Sequence, residues 1–205
     1  MATESWATKL RHDSDAEYVA WRDELVAKLT SVGLGVAETN ITVGAGTRAA
    51  IATEAHYAVF YLDDSLHATA PVYFRFGFGT GSASSRARIQ VTVGTATNGS
   101  GVISGFGSSI RTINAFSSDQ TSDTTRQSIM CFVDGFFGLS WKSASGGQGS
   151  FFFCRSCDTD GDPTATGAVI RYGDGSVNGL TWTVSVRYAA TAAAYSGSGA
   201  LVAGA

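Results

Sequence analysis

Three observations predict a mainly β chain. Apolar and polar residues alternate with period two along much of the sequence after residue 35, Asn/Asp/Gly turn signals separate the alternating runs, and charged residues make up only 15% of the whole. Alternation puts every second residue on one face of a strand. Short strands joined by turns rather than helices build antiparallel sandwiches and barrels. The expected architecture is an antiparallel β-sandwich or jelly-roll-like barrel with one N-terminal α-helix and an extended C-terminal arm. The chain divides as 1–35 with the amphipathic helix, 36–188 as the β domain, and 189–205 as an Ala/Gly/Ser-rich arm.

The helix opens at Ser14-Asp15-Ala16-Glu17. Ser14 and Glu17 have capping-box spacing, in which each side chain satisfies a free backbone N–H of the first turn. Tyr18, Trp21, Leu25 and Leu29, joined by Val26, recur at helical spacing, and Gly33 or Gly35 supplies the left-handed stop. This stripe is expected to lie on the sheet or on another subunit.

Glu38–Val43 reads as the first strand, ending at Gly44. In Ala55–Leu62, Tyr57, Val59 and Tyr61 alternate with His56, Ala58, Phe60 and Leu62. Val72, Phe74, Phe76 and Phe78 share a face opposite Tyr73, Arg75 and Gly77, and Ile89, Val91 and Val93 repeat the pattern. Asn98-Gly99 marks a hairpin turn with its return strand at Val102–Phe106. Ser108–Gln127 reads as a polar loop with a short strand near Ile110–Ile113. The aromatic centre, Ile129–Ser156, follows as consecutive strands, with Phe137, Leu139 and Trp141 on one face. Ala168–Tyr172 and Leu180–Tyr188 are the last strands, with Trp182, Val184, Val186 and Tyr188 alternating in the latter. The arm, Ala189–Ala205, is too poor in large side chains to hold itself and is expected to be ordered by neighbouring subunits.

The chemistry of the residues assigns no catalytic, cofactor-binding or metal-binding set. Cys154-Arg155-Ser156-Cys157 has C-x-x-C spacing, but it follows a strand instead of opening a helix, where a dipole would activate the thiol. Cys131 with that pair and one of His12, His56 or His67 would make a three-cysteine, one-histidine set; the competing reading is that all three cysteines are small apolar residues. Asp158-Thr159-Asp160-Gly161-Asp162 begins like a calcium loop, yet Pro163 and Val169 stand where such a loop needs Gly and Glu, which favours a tight turn. His56 reads as a half-buried strand residue. A net charge of −3 with no basic run gives no footprint for nucleic acid, and no apolar run reaches bilayer length. The N-terminal residues lack the apolar core of a secretory leader, so synthesis in the cytoplasm is expected.

Two blocks resemble segments of small structural proteins of tailed bacteriophages. One is Val72–Gly105, beginning V-Y-F-R-F-G-F-G-T-G; the other is Asp134–Gly167, with D-G-F-F-G-L-S-W-K and F-F-F-C-R-S-C-D-T-D-G-D-P. The resemblance implies a non-enzymatic virion component of the tail, baseplate or capsid-associated layers, made in the host bacterial cytoplasm. Its partners would be other virion proteins and copies of itself, as a homo-oligomer. The candidate interface residues are then Tyr18, Trp21, Leu25 and Leu29 on the helix, with Ala189, Tyr195 and Leu201 on the arm. The alternative is a host-recognition module for a cell-surface glycan or protein, with Tyr61, Tyr73 or Trp141 stacking on sugar rings. An enzyme would need carboxylates, or a histidine beside a nucleophile, converging in a pocket.

Overall fold

In the computed structural model the described residues are 1–9, 12–51, 55–80, 87–105, 111–114, 125–142, 148–175, 182–188 and 191–198; at 9, 111–114, 125–129, 141–142, 148–150, 166–167, 169, 171–175, 182–188 and 191–198 it is the backbone that is described. Strand β1 (Ala2–Lys9) precedes helix α1 (Asp15–Ser31). Then come β2 (Leu34–Thr39), β3 (His56–Leu62), β4 (Tyr73–Thr80), β5 (Ala87–Gly94), β6 (Ala96–Thr97), β7 (Ile103–Ser104) and β8 (Arg111–Asn114). The remainder is β9 (Thr125–Val133), β10 (Phe136–Lys142), β11 (Gln148–Cys157), β12 (Pro163–Gly175), β13 (Trp182–Tyr188) and β14 (Thr191–Ser198). They form a seven-stranded antiparallel sheet, β1-β9-β10-β11-β12-β13-β14, a five-stranded one, β2-β3-β4-β5-β8, and the small β6-β7 pair. The chain is thus mainly β. The two larger sheets are open and face each other, the sandwich form of the expectation, and the run β9 to β14 is a plain meander.

Helix α1 starts as its sequence requires. Ser14 Oγ accepts the Glu17 N–H at 3.2 Å, while Glu17 Oε2 reaches past the cap to the Asp13 N–H at 2.6 Å. The chain leaves the helix through Val32 and turns at Gly33, whose φ of 114° disfavours any side chain.

Between the sheets lies an aromatic layer. Phe60, Phe74, Phe76 and Phe78 from the smaller sheet and Phe137, Phe151 and Phe153 from the larger are all fully buried. Phe74 sits 5.6, 5.7 and 5.3 Å, ring to ring, from Phe137, Phe151 and Phe153, two of the three edge-to-face. Each buried Phe contributes about 2–3 kcal/mol by area, with roughly 0.5–1.5 kcal/mol more for a well-set ring pair. Trp21 carries the layer into α1 through an edge-on contact with Phe78 at 6.1 Å.

The second face of the smaller sheet is covered by the β6–β7 hairpin. Ile103 and Ser104 lie so close to Gly94 that a Cβ there would meet Ile103 Cγ2 at 2.2 Å and the Ser104 carbonyl oxygen at 2.3 Å. Beneath and beside it Val59, Thr92 and Arg75 are buried, the Arg75 guanidinium 4.8 Å from the Tyr57 ring centre. The Asn98-Gly99 turn is wider than a two-residue hairpin. Asn98 N–H donates to the Val102 carbonyl, Asn98 Oδ1 accepts from the Ser100 and Val102 N–H groups, and the return strand is only Ile103–Ser104.

The structure adds one strand, moves another and decides the role of the helix. The N-terminal residues form β1, paired from Ala2↔Phe132 to Lys9↔Thr125; the sequence hides it because Glu4 and Thr8 occupy inward positions beside Ala2 and Trp6. The first strand after α1 is Leu34–Thr39 rather than Glu38–Val43, since Leu34 continues the core and Asn40 already turns away, its side-chain amide bonded to Ala55 O and Tyr57 N–H. Of the two placements expected for the helical stripe, the structure has the one on the sheet: Tyr18, Trp21, Leu25 and Leu29 are 0, 4, 2 and 0% exposed, so the interface role implied for them by the resemblance has no exposed surface. Of the C-terminal arm the described part is Thr191–Ser198, which runs as a strand of the larger sheet.

Candidate functional site

The outward face of the larger sheet carries an apolar row at the end marked by the β9–β10 turn. The sheet's inward positions are settled by buried Met130, Phe137, Leu139, Phe151, Phe153, Ala168 and Ile170. Residues between them in sequence therefore take the outward positions, and residues paired directly across strands share a face. The register makes one outward row of Val133, Phe136, Cys154, Val169, Val186 and Tyr195. The next row, Thr3, Cys131, Gly138, Phe152, Arg171, Val184 and Gly197, is mixed, and the two beyond it are polar at Ser5, Ser140 and Ser150 and at Gln127, Lys142 and Gln148. A solvated sandwich face would carry polar residues here. In the first row every position is apolar or aromatic, with Cys154 counting as a small hydrophobe.

Local packing explains the centre of this surface. Phe136 and Phe152 stack at 6.2 Å and 27° over Gly138. A Cβ at Gly138 would meet Phe152 at 2.8 Å and Phe136 at 3.0 Å, so the missing side chain is what lets the two rings close. Val133 and Phe136 are joined by the two-residue turn Asp134-Gly135, where Gly135 has φ 73° and a Cβ would also strike Pro163. Val133, Phe136, Phe152, Cys131 and Cys154 are each half-buried. Burial pushes the Cys131 and Cys154 thiols up from their ordinary pKa, Cys154 further so because of Cys157. Thiols held protonated in this way are weak nucleophiles, and they fit the surface as apolar groups.

Of the candidate interface residues named from sequence, Tyr195 takes a register position on this row, by its pairing with Val186. Ala189 and Leu201 lie outside the described residues, and the four helical residues are in the core. Tyr61 and Tyr73 are paired across β3 and β4 on the smaller sheet, where the Tyr61 ring is stacked by His67 at 4.3 Å. Trp141 is placed in β10 by its backbone.

The other motifs resolve into structural roles. Asp158 Oδ1 accepts the N–H groups of Asp160 and Asp162, and Gly161 N–H donates to Asp158 O, a closed turn. Both Cys154 and Cys157 direct Sγ at the Arg155 carbonyl, at 3.3 and 3.9 Å. Among the described residues no three His, Cys, Asp or Glu side chains gather as metal ligands. His12 and His56, far apart in sequence, come to 6.0 Å on either side of Tyr18, and His56 Nε2 lies 3.2 Å from Thr47 O.

Sequence reasoning missed two buried arginines. Arg22 is fully buried; it pairs with Asp23 at 2.7 Å and donates to the carbonyls of Thr42 and Ala45, clamping the loop after β2. Arg155 holds Asp64 through both carboxylate oxygens and donates to Ala70 O at 2.7 Å. Their signal was an Arg set in an apolar stretch; Arg22 finds its carboxylate next door at Asp23, whereas Arg155 finds one only at Asp64, distant in sequence. No protein family, curated protein or solved structure matches the chain. What the fold defines is therefore a class, an antiparallel β-sandwich protein whose larger sheet carries one apolar row on its outward face.

Proposed function

We propose that this chain is a non-enzymatic structural subunit of a tailed-phage particle, in its tail, baseplate or capsid-associated layers, acting through subunit interfaces. One observation carries the reading: the outward row from Val133 to Tyr195 is as apolar as a core strand row. An apolar row of that kind is what interaction surfaces leave uncovered in the isolated chain. The phage assignment rests on the resemblance of Val72–Gly105 and Asp134–Gly167, the second of which supplies Phe136, Gly138, Phe152 and Cys154 to that face. A low content of charge supports the same reading, since charged residues are depleted from interface cores.

Sedimentation velocity over a range of concentrations tests it. The full chain is expected to self-associate, and Phe136→Lys, which sets a charge on the apolar row, should weaken that association with its near-UV circular dichroism retained. A wild-type protein that stays monomeric throughout, or a Phe136→Lys protein that associates equally well, would contradict the reading.

A further inference from the structure

We infer that two copies of this chain join edge to edge through β14, antiparallel about a two-fold axis, making one sheet that crosses both subunits. The inference rests on the assembly reading above and names its partner and its contact. Four edge strands bound the two larger sheets, and they differ in what they present. β1 carries Glu4 and Lys9, and Glu4 is tied to α1 by Lys28 at 2.9 Å and Ser31 at 2.8 Å. β2 is broken by a register shift between Val36 and Glu38, and Glu38 is bonded to Thr97 of the hairpin. β8 has only four residues, one of them Arg111.

β14 is different. Its eight residues, T-A-A-A-Y-S-G-S, include no charge and no proline. Those are the devices by which natural sheets stop an edge from pairing with another chain. On its inner side β14 is paired with β13 in regular register from Thr183↔Ser198 to Arg187↔Ala194; a register shift then leaves Ala192 and Ala193 without partners before Tyr188↔Thr191, so the regular edge is Ala194–Ser198. Among the described residues nothing pairs with its other side. An antiparallel edge is self-complementary, because a two-fold axis gives each strand the same strand as its partner. Small residues at Ala192, Ala193, Ala194 and Gly197 set little bulk against the approach. The rows of the outward face also end at this edge, at Tyr195 and Gly197, so the pairing would join the two copies' outward faces into one surface.

Single proline substitutions test this on the full chain. Backbone N–H groups alternate in direction along the regular part of the strand, so one of Ser196→Pro and Gly197→Pro removes a donor aimed at β13 and the other a donor aimed outward. The expected result is that the outward one keeps the wild-type melting temperature and sediments as monomer. Should both proline variants unfold, Ala193→Lys and Ala194→Lys place like charges across the axis and are expected to weaken the dimer at least tenfold. Amide exchange gives a second readout: the Thr191–Ser198 peptide should gain protection as concentration rises. Association that survives all four substitutions, with exchange in that peptide independent of concentration, would overturn edge pairing. If Phe136→Lys still weakens association in that case, the sheet-face reading stands without it.

Discussion

Arg155 is the residue on which the two sheets are pinned together at one end. It lies in β11, and its guanidinium takes both oxygens of Asp64, from the β3–β4 connection, with both side chains almost wholly out of water at 3 and 0% exposure. A buried pair adds little net stability over an apolar replacement, whereas removing one partner strands a charge. Asp64→Ala is therefore expected to cost about 3–5 kcal/mol in denaturant unfolding, while Asp64→Ala with Arg155→Met should recover most of that loss. Equal destabilisation of the single and double variants would contradict the pairing. The sequence showed Arg155 only as the second residue of a C-x-x-C, and attention to sulfur passed over the group that matters. No local pattern points from position 155 to position 64.

At the scale of elements, α1 and the central strands were legible because their signals are local. Ser14, Glu17 and the 18-21-25-29 stripe define the helix, and Phe74, Phe76 and Phe78 define β4 with its buried face. β1 was not legible, because a strand whose inward positions include a glutamate is recognised only once Lys28 and Ser31 are seen to meet that glutamate. The β9–β10 turn illustrates how elements are tied from outside. Asp134 Oδ1 accepts the Ser65 N–H at 2.7 Å, and that bond holds the Asp134 carboxyl below its ordinary pKa. A lowered native pKa means stability that is present above the unfolded value, near pH ~4, and lost as pH falls through the native one. Thermal unfolding followed from pH 6 to pH 2 should therefore show a shallower acid decline for Asp134→Asn than for wild type. Glu4, held down by Lys28, and Asp15, held down by Arg48, add to the slope in the same direction. An unchanged slope would show that the turn is not tied in this way.

The molecule as a whole is a sandwich with an apolar surface to spare. Alternation in β4 and β5 distinguishes a core face from a polar one, and the sandwich could be read from that. In β9 and β11 the runs I-M-C-F-V and F-F-F-C do not alternate, and such runs mark strands with both faces out of water. That second face became visible only through the register, which lines up Val133, Phe136 and Cys154 with Val169, Val186 and Tyr195. The cysteines make it measurable. Cys131 and Cys154 sit in the two outward rows, while Cys157 is exposed beyond them. Site-resolved alkylation by iodoacetamide, above and below the association midpoint, tests the central claim most directly. Cys131 and Cys154 should be shielded in the associated protein relative to the dissociated one, with Cys157 serving as the internal rate standard; equal labelling of all three in both states would contradict a larger sheet covered on both faces.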